Sequence, residues 1–250
     1  MNNSIMRIFV LAKRNLKEIL RDPLSLSFNI GLPLVMEVLL YFLFSNLTSQ
    51  FQMKYLAPGI VVFSQSFLSL FIGILISLDR STSFLNRLFV TRVKSHEFII
   101  SYALSLLPIV LIQSILFFFV GGIFDTTLFK IELIYAIILS IITSFLFLGI
   151  GILLGSLCNE KSIGGATSII ISAHSILSGM WFPVDGLSSG MVNIMNFLPF
   201  KNATILVQNG LNGVNDLFDD LFHPLIIILT YTLVIFILAI IAFKNRMKCK

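Results

Sequence analysis

Long apolar runs alternate with short polar breaks along most of this chain, and the breaks set the elements. The opening stretch has a helical rather than a continuous apolar pattern. Ile5, Phe9, Ala12, Leu16 and Ile19 recur at helical spacing, while Arg7, Lys13, Arg14, Lys17 and Arg21 fill the other positions. Residues 4–22 are therefore expected to form an amphipathic helix lying on a membrane surface, ended by Pro23. Six apolar segments follow, at 24–46, 55–78, 98–124, 133–157, 162–179 and 224–243, each about long enough to cross a bilayer. Pro33 interrupts the first, Pro58 lies near the start of the second, and Pro108 is placed to kink the third. The fourth ends in Gly151-Ile-Leu-Leu-Gly155, a spacing that lets helices approach closely.

Two segments do not fit a simple up-and-down pattern. Residues 180–222 are moderately apolar but broken by Pro183, Gly186, Gly190, Pro199, Gly210 and Gly213, and they carry Asp185, Lys201, Asp216, Asp219 and Asp220. A re-entrant or interfacial helical hairpin at the outer surface suits them better than a further span with a loop. Residues 79–98 (DRSTSFLNRLFVTRVKSHEF) join the second and third spans and hold Arg80, Arg87, Arg92 and Lys94. A short helix fits their middle, with Phe84, Leu85 and Leu88 on one face and Asn86 and Arg87 turned away. A plain return to the bilayer needs only a few polar residues, so this loop is expected to be gripped by something in the cytoplasm.

Composition agrees with an all-α polytopic membrane protein. Hydrophobic residues make up 57% of the 250 and charged residues 12%, about half the share usual in soluble domains. The mean hydropathy is +0.99. The net charge of +5 then reports topology rather than nucleic-acid binding. Of the 17 basic residues only Lys54, Lys130 and Lys201 fall in segments expected outside; the rest cluster before Pro23, in the 79–98 loop, at Lys161 and in the tail after residue 243. That asymmetry predicts both termini in the cytoplasm. Residues 1–22 have no apolar centre or cleavage site of a signal peptide, so the first span is expected to act as its own insertion signal. Cys158 and Cys249 lack metal-ligand spacing and fall in cytoplasmic segments, where a disulfide is not expected.

No catalytic constellation is present: there is no G-x-S-x-G, no H-E-x-x-H and no Cys/His cluster. No glycine is followed by lysine, so the chain has no phosphate-binding loop of the Walker type and no ATPase site of its own. Glu37 and His174 are the ionisable residues deepest in predicted spans, and intramembrane ionisable residues mark pathways by default. Glu37 could line a translocation pathway or relay protons; alternatively it is protonated, or bonded to a neighbouring helix as a packing device. His174 reads better as structural, a neutral imidazole bonded to a serine or the backbone.

Two motifs resemble the membrane-spanning subunits of type-2 ABC exporters, the bacterial drug, lipid and polysaccharide export permeases. One is the acid-Arg start at Asp79-Arg80 with the Leu85-x-x-Leu88-x-Val90-Thr91 core. The other is Ser178-Gly179-Met180-Trp181-Phe182-Pro183 followed by Phe197-Leu198-Pro199. Ser81, Ser83, Arg92 and Ser188 depart from the residues common there. The resemblance implies a plasma-membrane export permease that is not itself an enzyme, moving a drug, lipid, glycan or peptide. Its partners would be two cytosolic ABC ATPase subunits, a second permease copy or paralogue, and membrane lipids, with no nucleic acid. ATP and Mg would sit on the ATPases; this chain would bind no cofactor and no metal. Residues Phe84, Leu85, Arg87, Leu88, Phe89, Thr91, Arg92 and Val93 would form the coupling helix, and Gly179, Phe182, Pro183 and Pro199 the outer hairpin that restricts the exit. An ion-gradient-driven secondary transporter or channel is the alternative, and it would call for more intramembrane charge and internal repeats.

Overall fold

The computed structural model describes residues 2–82, 94–182, 186–214 and 216–248. All the described secondary structure is helical, with no strand. The described residues form nine α-helices, in order α1 (Asn2–Leu20), α2 (Pro23–Phe44), α3 (Met53–Ser81), α4 (Ser95–Phe124), α5 (Glu132–Leu157), α6 (Glu160–Leu177), α7 (Ser189–Phe197), α8 (Pro199–Asn212) and α9 (His223–Lys248). A π-helical turn, Phe218–Phe222, leads directly into α9.

Five described helical segments are long and apolar enough to cross a membrane: 26–44, 53–81, 95–124, 132–157 and 218–245. The chain is thus a multi-pass membrane protein. The segment expected as the fifth span, 162–179, forms α6, an 18-residue helix that is not among those five. The helix α2 runs through Pro33, where an interruption was expected. The second span is longer than its apolar run, since α3 continues to Ser81 and α4 starts at Ser95. Asp79 and Arg80 accordingly belong to a helix rather than to the loop.

The hub is α3. It is 78% buried over its most apolar window, against 17% for α2 and 11% for α9, which form the periphery. Its largest contact is with α5, and two glycines set that crossing. A Cβ on Gly151 would come within 2.4 Å of the Ser69 carbonyl oxygen, and one on Gly155 within 2.8 Å of the Gly73 oxygen. Only residues without a side chain allow backbones this close. The Gly-x-x-x-Gly pattern is therefore used inside the chain.

Polar residues in these helices are largely satisfied locally. Ser64, Ser66, Ser69, Ser101 and Ser105 each donate to the carbonyl three residues back. A buried network links α3, α4 and α5: Gln65 Nε2 donates to the Ser140 carbonyl at 2.8 Å, Thr143 Oγ1 donates to Gln65 Oε1 at 2.9 Å, and the Ser114 and Ser140 hydroxyls lie 3.0 Å apart. Three prolines each remove one N–H from a helix and free the carbonyl four residues back. In each case a side-chain amide from a neighbouring element donates to it. Gln113 bonds Asn29 O at 3.0 Å for Pro33, Asn212 bonds Lys54 O at 2.8 Å for Pro58, and Asn209 bonds Asp220 O at 2.9 Å for Pro224. A freed carbonyl in hydrocarbon requires such a donor.

The broken segment after α6 forms the paired helices α7 and α8, joined at Leu198 with Pro199 as the first residue of α8. Gly179 (φ +70°) just past the end of α6 and Gly213 (φ +94°) after α8 occupy the left-handed region that ends helices. Gly210 packs on Ala136 and Leu139 at one end of α8, and Phe200 meets Phe147 at the other. Eleven residues of α5 separate those contacts, so α8 runs antiparallel to α5 over roughly 16 Å.

Candidate functional site

Residues 83–93, which carry all eight expected coupling positions (Phe84, Leu85, Arg87, Leu88, Phe89, Thr91, Arg92 and Val93), lie outside the described residues. The helix ends on either side of them are described, and they are held by a dense set of charged contacts. Arg14 of α1 makes a bidentate pair with Asp79 near the end of α3, at 2.6 Å (Nη1 to Oδ2) and 2.8 Å (Nη2 to Oδ1). Tyr102 of α4 donates to the same Oδ2 at 2.6 Å. Asp79 is only 3% exposed. Arg14 also pairs with Glu18, one turn on, at 2.6 Å and donates to Asn15 Oδ1 at 3.0 Å. A fork of N–H groups meeting a carboxylate side-on is the strong, directional form of the ion pair.

The second anchor is at the start of α4. Glu97, 1% exposed, accepts from Arg7 Nη2 at 2.8 Å and from the Ser4 hydroxyl. Its other oxygen accepts from the Lys94 backbone N–H at 3.1 Å, which caps the helix. Ser4, Arg7 and Arg14 share one face of α1, since they stand three and seven residues apart. Two further contacts complete the frame. Arg80 donates to the Gly155 and Cys158 carbonyls at 2.7 and 3.1 Å, satisfying the end of α5, and Ser81 reaches Glu160 of α6 at 3.4 Å. Asp79, Arg80 and Ser81 on one side of 83–93 and Glu97 on the other are thus each tied to a helix other than their own, and α1 holds both sides at once.

Electrostatics follow from this sharing. Burial works against the Arg14 charge, but the hydrogen bonds and charge of Asp79 outweigh it, so the guanidinium pKa is raised. Burial raises the Glu18 carboxyl, and Arg14 pulls it back only in part. One cation therefore serves two carboxylates.

The deep ionisable residues lie elsewhere and apart from each other. Glu37 is fully buried among Ala57 of α3, Gly121 of α4 and Leu128, and neither carboxyl oxygen has a hydrogen-bond partner. Among the described residues, no bond to a neighbouring helix makes it a packing device. His174 of α6 is also fully buried. Its ring packs against Phe147 (4.8 Å between centroids) and Phe200 (5.5 Å), with Phe63 at 5.8 Å. Neither ring nitrogen has a partner, so the expected bond to serine or backbone is replaced by aromatic stacking. Of the expected hairpin residues, Gly179 turns the chain after α6, Phe182 is half-buried, Pro199 is buried at the start of α8, and Pro183 lies outside the described residues. No group of three or more His, Cys, Asp or Glu side chains that could hold a metal occurs among the described residues.

The sequence model of the ABC-2 type transporter family matches residues 6–212, which takes in most of α1 with Arg7 and Arg14, their partners Glu97 and Asp79, and the α7–α8 pair. The chain belongs to that family. No curated protein matches it. ABC-2 permeases are membrane components of ABC transporters and normally pair with ABC ATPase subunits. The anchoring side chains Arg7, Arg14, Glu97 and Tyr102 were not legible as a site from the sequence. The available signal was the seven-residue spacing of the two arginines and an acid on either side of the same loop.

Proposed function

We propose that this chain is the permease subunit of an ATP-driven exporter in the bacterial plasma membrane, working with two cytosolic ATPase subunits and a second copy or paralogue of itself. The observation that carries this reading is the double anchoring of the helices flanking 83–93 on α1. A loop that must transmit force needs ends that move with the body of the protein, and Asp79 and Glu97 give it such ends. ATP-driven closure of the ATPases would press on Phe84 to Val93, tilt α3 and α4, and open a path between two permease copies. The docked loop must bind the ATPase states with different affinity, since equal affinity shifts no equilibrium.

Several features support the finer topology. The basic residues gather at both termini and at the α1 end of the bundle, which favours cytoplasmic termini. As the sixth crossing, α6 would span about 27 Å, close to the hydrocarbon thickness. The meeting of Phe200 with Phe147, midway along α5, supports a re-entrant α7–α8 pair that narrows the outer exit. Substrates consistent with such a bundle are hydrophobic or amphipathic drugs, lipids, glycans or peptides. Glu37 is the observation that favours an ion-driven transporter instead, though a single carboxyl offers little for ion coupling.

The test is co-reconstitution with an ABC ATPase. Replacing Phe84, Leu85 and Leu88 with Asp should leave insertion intact and remove permease-stimulated ATP hydrolysis. Stimulation equal to that of the unmodified chain would overturn the proposal.

A further inference from the structure

The two halves of α2 are held in different ways. Beyond Pro33 its aromatic side chains pack on their neighbours: the Tyr41 and Phe42 rings lie 5.3 and 5.4 Å from that of Phe124 in α4, and Phe44 lies 5.2 Å from Phe51. Before Gly31 a cavity of about 470 Å³ lies between the helix and α3, next to the end of α1. Phe28 and Asn29 line it from α2, and Phe67, Phe71 and Ile74 from α3. Leu26 and Ile30 are the apolar side chains of this half that reach the core, and both are only partly buried. In hydrocarbon, lipid tails fill such a space at little cost, so packing this half against α3 or leaving it apart differs little in free energy.

Gly31-Leu32-Pro33 joins the halves. Pro33 offers no N–H to the Asn29 carbonyl, so the helix bond that would stiffen this turn is missing. Gly31 adds backbone freedom, and a Cβ there would meet nothing within 4 Å, so close packing does not call for the glycine. Helices bend at such positions. The bond that replaces the missing one, Gln113 Nε2 to Asn29 O at 3.0 Å, uses only part of the available pairing. Gln113 Oε1 and both amide atoms of the Asn29 side chain have no hydrogen-bond partner among the described residues, although Gln113 and Asn29 are 1% and 2% exposed. A partly satisfied buried network is unfavourable. An Asn29 Nδ2–H brought to Gln113 Oε1 satisfies one atom on each residue.

We infer that residues 23–30 form a lever that swings about Gly31–Pro33 between the open position described above and a closed one. In the closed position the lever fills the cavity against α3, and the Asn29 side-chain amide donates to Gln113 Oε1, which completes the latch begun at the Asn29 carbonyl. Only residues 21 and 22 separate the lever from α1, the helix that ties both sides of 83–93. Under the permease reading, a docked ATPase that moves α1 would drive the swing. The swing itself needs no ATPase and is a property of this chain.

Double electron–electron resonance tests the lever directly. Nitroxide labels are placed at Leu24→Cys, on the exposed tip of the lever, and at Lys244→Cys, exposed near the end of α9, with Cys158→Ser and Cys249→Ser. The full chain is measured in phosphatidylcholine nanodiscs without nucleotide or ATPase. Two distance populations are expected, one at the separation of the open position and one displaced from it. Asn29→Leu keeps the backbone latch but removes the side-chain donor, and should lower the closed-to-open ratio by about fivefold. Gly31→Ala, for which there is room, and Pro33→Ala should each stiffen the hinge and leave one dominant population. A single population in the unmodified chain, or two populations whose ratio ignores Asn29→Leu or both hinge variants, would overturn the inference. ATPase stimulation is measured separately, so failure here leaves the coupling proposal standing.

Discussion

Glu37 and His174 share complete burial and the lack of any hydrogen-bond partner, yet their surroundings differ in kind. His174 packs against the rings of Phe147, Phe200 and Phe63, which accounts for its place in an aromatic cluster of the core. Glu37 lies beside Gly121, near Ala57 and Leu128, and neither of its carboxyl oxygens has a hydrogen-bond partner among the described residues. A group that weakens the fold and is nevertheless present is expected to serve the pathway. Glu37→Met should therefore keep or raise stability, by about 1–3 kcal/mol, because it removes an unsatisfied polar group. Transport by the same variant should fall at least tenfold. Thermal unfolding and vesicle transport measured on one preparation check this; a loss of stability with transport intact per folded molecule would return Glu37 to a packing role.

At the scale of elements, the apolar runs were readable because hydrocarbon demands continuous apolar length, and their order matches the helices found. Their ends were not readable in the same way. The helix α3 runs on through Asp79 and Arg80 because those charges find partners 65 and 75 residues away, at Arg14 and Gly155, and periodicity carries no record of such contacts. The prolines show the same limit. Pro33 looks like a break in sequence, but α2 continues because Gln113, 84 residues from Asn29, donates to the carbonyl that the proline leaves free. Gln113→Leu should accordingly destabilise the protein by about 1–3 kcal/mol. Adding Pro33→Ala, which restores the N–H that Asn29 lacks, should recover most of that loss. Unfolding midpoints for the two single variants and the double variant test the pairing, and strictly additive effects would refute it.

Across the whole molecule, α1 ties the helix ends around 83–93 into one unit through Arg7–Glu97 and Arg14–Asp79. Arg14→Met strands the Asp79 carboxylate with Tyr102 alone, and it should cost about 2 kcal/mol or more, less than a fully buried pair because Arg14 is a third exposed. Joining it with Asp79→Leu should restore most of the stability, since both charges are then gone. It should not restore stimulation of ATP hydrolysis, because the loop would still have lost one anchor. Recovery of stimulation together with stability would show that the anchor serves folding alone.

The most direct measurement is thiol labelling of Arg87→Cys, made with Cys158→Ser and Cys249→Ser so that the new thiol is the only one. In inside-out vesicles a membrane-impermeant maleimide should label it, and bound ATPase subunits should block that labelling. Labelling from the outside of intact cells, or labelling in inside-out vesicles that bound ATPase leaves unchanged, would contradict the account.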